Sequence, residues 1–321
     1  MTAYVIRRII IGLIVLLIVT MLVFLVVRLL PGDPLVIFLG QSFTQQQQRI
    51  GPEEYQALLH QWGLDRPIYV QYIDWLGDIL RGDLGLSIKV NTPISTLIAE
   101  RMPRTMYIGF VTLLFSSIGG ILVGIYCALR RGTWMDNTLT TIANVGMVIP
   151  VFWLAVLLMY LFSYQLHWLP TSGWVNPFED FWGHVKSMIM PFSAMAVGSV
   201  AGLARIVRSC MLEVLGADYI RTAWAKGLTE KVIVLRHQMK NAMIPVVTML
   251  GGSLAGILGG SVFIETVYAI PGIGLLTTRA IFDQDYQVVQ ASIMLFGFVI
   301  IFSNLLVDIL WAWMDPRIRF A

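Results

Sequence analysis

Five stretches of this chain run for about twenty residues or more without one charged side chain, the length an α-helix needs to cross a bilayer core. They are residues 9–27, 105–129, 137–166, 241–264 and 286–307, and a sixth, residues 187–204, is only just long enough. Lipid cannot satisfy open backbone groups, so each span has to be helical, and the alternating pattern of an outer-membrane barrel is absent. The fold class expected is therefore an all-α polytopic membrane protein with six transmembrane helices. Composition agrees: only 13% of the 321 residues are charged, against about 25% in ordinary soluble domains. The first apolar run is longer than a signal-peptide core, and Val27-Arg28-Leu29-Leu30-Pro31 offers no small-residue cleavage site, so it reads as a retained anchor.

Charge distribution sets the expected orientation. With six spans, one side holds Arg7, Arg8, Arg130, Arg131, Arg205, Arg208, the cations of residues 221–240, Arg317 and Arg319, thirteen of the 22 basic residues. The opposite short flanks hold three: Arg28, Lys186 and Arg279. Basic residues in short flanks favour the cytoplasm, so both termini are expected inside. The remaining six lie in the long segment 31–104, where eight acids balance them.

Three spans place small residues at every fourth position: Ser116, Gly120, Gly124 and Ala128; Ala194, Gly198 and Gly202; Gly252, Gly256 and Gly260. That spacing stacks them on one helix face and lets backbones approach closely, as tight packing, a pore lining or a sliding surface would need. Pro150 and Pro191 fall in or at the edge of spans and can kink them. Ionisable groups within the spans are nearly absent, with Glu265 and Asp308 at span ends, which disfavours a proton-coupled carrier. Cys127 and Cys210 have neither disulfide-framework nor CxxC spacing, and the four histidines are not paired as ligands. No metal or cofactor site is expected. HExxH, GxSxG and the GxxxxGK[ST] phosphate loop are all missing, so any ATP-driven cycle must draw on another chain.

The segment 205–244 carries seven basic and three acidic side chains. Asp218 can cap a short helix from Tyr219 to Lys226, with Gly227 as a left-handed stop. Thr229 can cap a second helix reaching Asn241, with Pro245 opening the next span. Attraction to anionic lipid is one reading of such a segment, and a rigid docking element for a soluble partner is the other.

The stretch Glu213-Val-Leu-Gly-Ala-Asp-Tyr-Ile-Arg-Thr-Ala-Trp-Ala-Lys-Gly227, followed by Leu235-Arg-His237 and Asn241-Ala-Met-Ile-Pro-Val246, closely resembles the coupling loop of ABC importer permeases of the dipeptide/oligopeptide (and nickel) branch. Further pieces fit in order along nearly the whole chain: Arg28-Leu-Leu-Pro-Gly-Asp-Pro34, Gly63-Leu-Asp-Arg-Pro67 with Gln71-Tyr72, Gly82-Asp-Leu-Gly85 with Ser87, Pro271-Gly-Ile-Gly274, Asp285-Tyr286 with Val288-Val-Gln290, and Asp315-Pro-Arg317. The resemblance implies a type I permease that pairs with a homologous second permease as a heterodimer, binds two cytoplasmic ABC ATPase subunits, receives cargo from an extracytoplasmic substrate-binding protein and has no nucleic-acid partner. It implies ATPase coupling through Asp218, Tyr219, Arg221, Thr222, Ala223, Lys226 and Gly227. The general importer motif begins Glu-Ala-Ala, and here Arg221 replaces the leading acid.

The implied organisation is an N-terminal transmembrane helix (residues 1–30), an extracytoplasmic region (31–100), a permease domain (101–314) and a cytoplasmic tail (315–321). Within 31–104, helix-like patterning at residues 52–62 and 71–80 suggests a small cap that meets the binding protein. Residues 268–282 are too short and interrupted to span and read as an interfacial or re-entrant element. Di- or oligopeptide import is the function expected; nickel or metal-chelate import, a secondary carrier and a membrane scaffold without transport are the alternatives.

Overall fold

The computed structural model describes residues 2–29, 35 and 51–314. The expected Leu30–Pro34 and Asp315–Arg317 motif positions lie outside these, and Gly252 and Gly256 lie outside the residues whose side chains are described. Among the described residues the structure is helical with no strand, and the chain divides into two compact units.

The first unit is built from residues up to Arg104 together with Pro271–Leu305. Its long helices are α1 (Thr2–Arg28) and the start of α12 (Tyr286–Met314). They approach at glycines: a Cβ on Gly297 would lie 3.0 Å from Val19, and one on Gly12 3.3 Å from Ile301. Two short helices, α2 (Pro52–Gln61) and α3 (Ile68–Leu80), realise the patterning read at 52–62 and 71–80. Phe24 of α1 packs its ring 5.4 Å from both Tyr72 and Trp75 of α3, and the Thr20 and Tyr72 hydroxyls share a 2.9 Å hydrogen bond. The loop at 82–93 is pinned to the start of α12, where Ser87 Oγ donates to the buried Asp285 carboxylate at 2.6 Å. The stretch read as interfacial or re-entrant contains a ten-residue helix, α11 (Ile273–Phe282), too short to span. Its Ala280 is buried with Ile94, Leu97, Val288 and Ala291.

The second unit spans Thr105–Ile270 and adds Leu306–Ile318. Most of α4 (Ile94–Leu129), α5 (Trp134–Val148) and α7 (Phe181–Leu215) lie here. Residues 137–166, expected as one span, form two helical pieces: α5, then α6 (Val151–Leu158) continued by a π-helical stretch, Met159–Gln165, the pieces meeting at 104°. The break falls at Ile149–Pro150, where Pro150 lacks the N–H that would continue the ladder. Pro191 does not break its helix: α7 runs unbroken past it for 35 residues. The segment after Gly227 also differs from expectation. Thr229 occupies the N-cap of α9 (Glu230–Val232), but helical backbone then continues through a π stretch, Ile233–Gln238, into α10 (Met239–Val267), and neither Asn241 nor Pro245 interrupts it.

Four helices, α1, α4, α7 and α12, are long and apolar enough to cross a membrane among the described residues, and the bent pair at α5–α6 brings the number to five. The remaining expected run, 241–264, lies within the 29 residues of α10. Leu13, Leu22, Phe110, Phe115 and Leu122 are all more than half exposed along these helices; apolar surface so continuous is suited to acyl chains and not to water.

Inside the second unit the small-residue face of α4 packs closely on α7. A Cβ on Gly120 would lie 2.7 Å from Leu203, and one on Gly124 2.6 Å from the Ala204 carbonyl oxygen. The α5–α7 contact is polar. Arg208 donates Nε and Nη2 to the two oxygens of Asp136, each at 2.8 Å, and the Asp136 carboxylate also accepts from Gly132 N and Thr140 Oγ1. Arg208, counted among the inward cations, is thus half of an ion pair whose acid is 1% exposed.

Candidate functional site

The expected coupling residues fall on α8 (Asp218–Ala225) and the turn that ends it. Ala217 is the N-cap; Asp218 takes the first helical position and makes no capping hydrogen bond, a correction to its expected role. Its carboxylate lies 3.7 Å from Arg221 one turn on, and both side chains are exposed. Thr222 Oγ1 bonds back to the Asp218 carbonyl at 3.0 Å. The C-terminal end is a Schellman closure: Gly227 N donates to the Trp224 carbonyl at 2.9 Å and Leu228 N to the Ala223 carbonyl at 3.4 Å. That closure requires the left-handed backbone that Gly227 supplies at φ +73°, and a Cβ there would meet nothing within 4 Å.

One face of α8 is buried. Ile220 and Ala223 pack with Ile233, and Leu228 closes the cluster. Ala223 therefore holds the loop against the following helical stretch and is not presented outward. Asp218, Tyr219, Arg221, Thr222, Lys226 and Gly227 stand on the open side. Tyr219 is tied back at its tip, where Asn241 Nδ2 donates to its hydroxyl at 3.0 Å. Sequence reasoning passed over Trp224, which is 50% exposed beside these residues. A polar neighbourhood around a tryptophan at a helix end was the available signal. The arrangement is a short rigid knob with two aromatic rings and two cations outward, suited to a groove in another protein and lacking any group placed for bond-making chemistry.

A second feature of this unit bears on passage through the membrane. The remaining small residues do not pack as Gly120 and Gly124 do: a Cβ on Gly202 or Gly260 would meet nothing within 4 Å, and one on Gly198 only the Gly146 carbonyl at 3.7 Å. These three glycines line a cavity of about 380 Å³ together with Ser116 and Thr112. The four-residue spacing thus served two ends, close packing on α4 and an open wall on α7 and α10.

Two family models match the chain: the inner membrane component of binding-protein-dependent transport systems over residues 120–320, and its N-terminal component over residues 1–109. A protein named as a peptide transport system permease in Brucella abortus (strain 2308) is 38% identical over 320 residues, covering 100% of both chains. The oligopeptide transport system permease protein AppB of Bacillus subtilis (strain 168) is 35% identical over 323 residues, again covering 100% of each. Among solved structures, an inward-facing MetNI methionine ABC transporter chain superposes with a TM-score of 0.56 at 20% identity, covering 68% of this chain and 96% of that one. An amino acid ABC transporter crystallised with histidines gives a TM-score of 0.50 at 15% identity, covering 68% and 94%.

Proposed function

We propose, for a chain that belongs to the inner membrane components of binding-protein-dependent transport systems, that it is the permease subunit of an ATP-driven importer of di- or oligopeptides. The single observation that carries this is the end-to-end match with relatives named for peptide and oligopeptide transport. The nickel, secondary-carrier and scaffold readings have no comparable support.

Six spans with both termini on the cytoplasmic side of a bacterial-type inner membrane are the topology proposed, on the charge asymmetry of the short flanks. The four-part division at residues 30, 100 and 314 goes with it. ATP hydrolysis belongs to two separate ATPase subunits, cargo arrives from an extracytoplasmic binding protein, and the pore is completed by a homologous second permease.

In this mechanism α8 sits in an ATPase groove. Tyr219, Arg221, Trp224 and Lys226 make contact, and Ile220, Ala223 and Gly227 keep the knob in shape. Closure of the ATPase pair displaces the knob, and the bundle moves between states because ATP binds the two arrangements with different affinity. Support for this role comes from the knob's closed geometry and its outward cations.

The test is reconstitution with the neighbouring subunits in proteoliposomes, measuring ATP hydrolysis beside uptake of labelled tri-alanine. Gly227→Ala places a β-carbon on left-handed backbone at a cost of about 1–2 kcal/mol, and it should uncouple hydrolysis from uptake. Gly227→Asn, which tolerates that backbone, should retain coupling. Normal coupling in the alanine variant refutes the docking role, and absence of ATP-dependent peptide uptake refutes the function.

A further inference from the structure

The first unit contains a cavity of about 600 Å³ that the coupling mechanism does not use. Its walls come from α3, the 82–93 loop and the first turns of α12. Three of the motif pieces singled out in the sequence converge on it: Gly63 and Gln71, Asp83 to Gly85 with Ser87, and Gln290.

Two polar atoms facing this cavity are buried without a hydrogen-bond partner among the described residues: Gln71 Oε1 and Gln290 Nε2. The Gln71 amide is held in one sense, because its Nε2 donates to the Leu64 carbonyl at 3.2 Å and the Arg66 carbonyl at 2.7 Å. Its oxygen is therefore the end left over. Gln290 is 8% exposed, so water reaches it poorly, and a buried amide N–H with no acceptor is costly to maintain. One unpartnered acceptor and one unpartnered donor on a shared cavity are the complement of a peptide group, which offers one N–H and one carbonyl.

The rest of the lining narrows the ligand further. Asp74, Asp78 and Asp83 contribute three carboxylates against one cation, Arg28, so the cavity favours an ammonium over a carboxylate. Trp62 and Trp75, with Met294, supply apolar wall for small side chains. We propose that this cavity is a peptide-binding site, separate from the α7–α10 cavity, which takes the amino-terminal end of a short peptide: the first peptide group between Gln71 and Gln290, the ammonium toward the aspartates. The ligand class rests on the peptide-import reading as well as on this chemistry.

The experiment is calorimetric titration of the full chain in lipid nanodiscs with tri-alanine, repeated with Gln71→Leu and Gln290→Leu. Saturable binding by the wild type, weakened at least tenfold by each substitution, supports the site. Because Gln290→Leu removes a buried donor without a partner, its melting temperature should equal or exceed that of the wild type while binding falls; a glutamine kept only for structure would give a lower one. N-acetylated tri-alanine amide, which keeps the peptide groups and lacks the ammonium, should bind more weakly, and free alanine should not compete. Absence of saturable binding, or unchanged affinity in Gln290→Leu, overturns the proposal. Uptake by the assembled transporter separates the two readings: peptide uptake without Gln290-dependent binding sinks the site alone, and Gln290-dependent binding without uptake sinks the import reading alone.

Discussion

Gly124 and Gly202 occupy equivalent places in two four-residue repeats, yet the same substitution should affect them differently. A Cβ on Gly124 would stand 2.6 Å from both the Ala204 carbonyl oxygen and Val207 Cβ, where ordinary contact begins near 3.4 Å. The neighbouring helix would have to retreat by about 0.8 Å, the difference between these separations. Backbone cannot yield as a flexible side chain does, and overpacking of this kind costs about 1–3 kcal/mol. Gly202 has nothing within 4 Å of the added carbon. Each substitution also gains the helix preference of alanine over glycine, up to about 1 kcal/mol. That gain cancels when the variants are compared with one another, and the difference isolates the clash. Reversible denaturant unfolding in a mixed-micelle system should therefore place Gly124→Ala about 1–3 kcal/mol below Gly202→Ala. Equal stabilities would mean that α4 and α7 are not in this contact, and the division of the glycines into packed and open sets would fall.

Removing one member of the α5–α7 ion pair by Asp136→Asn leaves Arg208 without its bidentate partner and should cost about 3 kcal/mol, read in the same unfolding experiment; the doubly apolar Asp136→Leu/Arg208→Met variant should recover most of the loss, and failure to recover would assign the cost to the helix cap instead. Ser87→Ala withdraws the 2.6 Å donor from the buried Asp285 carboxylate, a loss of about 1–3 kcal/mol. Faster amide exchange should appear across residues 85–94 while exchange in α7 stays unchanged; uniform acceleration would contradict a local pin. Phe in place of Tyr268 removes the hydroxyl that donates to the Ala155 carbonyl at 3.0 Å in the buried cluster of the second unit, and should lower stability by about 1 kcal/mol without altering the fold seen by circular dichroism.

The apolar runs made the spans legible because lipid imposes one rule on backbone, and a run of uncharged residues reports it directly. The same rule hid the break at Pro150: residues 137–166 are apolar on both sides of the proline, so composition could not distinguish one straight span from two pieces at 104°. Residues 229–241 failed for a different reason. Thr229 is a sound start signal, but no stop signal lies between it and the next span, and Pro245 at a tolerated position within α10 was taken for a beginning. The coupling residues were named correctly as a neighbourhood, yet which of them face outward depends on Ile233, a residue of the next element that draws Ile220 and Ala223 inward. Asp136 and Arg208, 72 positions apart, carry no local signature of their pairing. Gln71 and Gln290 each looked like ordinary polar residues until the fold set both at the edge of one cavity.

The unbroken helical backbone from Glu230 to Val267 has a mechanical consequence. At about 1.5 Å of rise per residue it amounts to a shaft of roughly 55 Å. A shaft with no joint transmits twist as well as thrust, so the knob at its head cannot turn unless the glycine wall of the cavity turns with it. Probes near Arg236 and near Phe263 would then report one rotation, in phase, although only the first lies next to the docking surface.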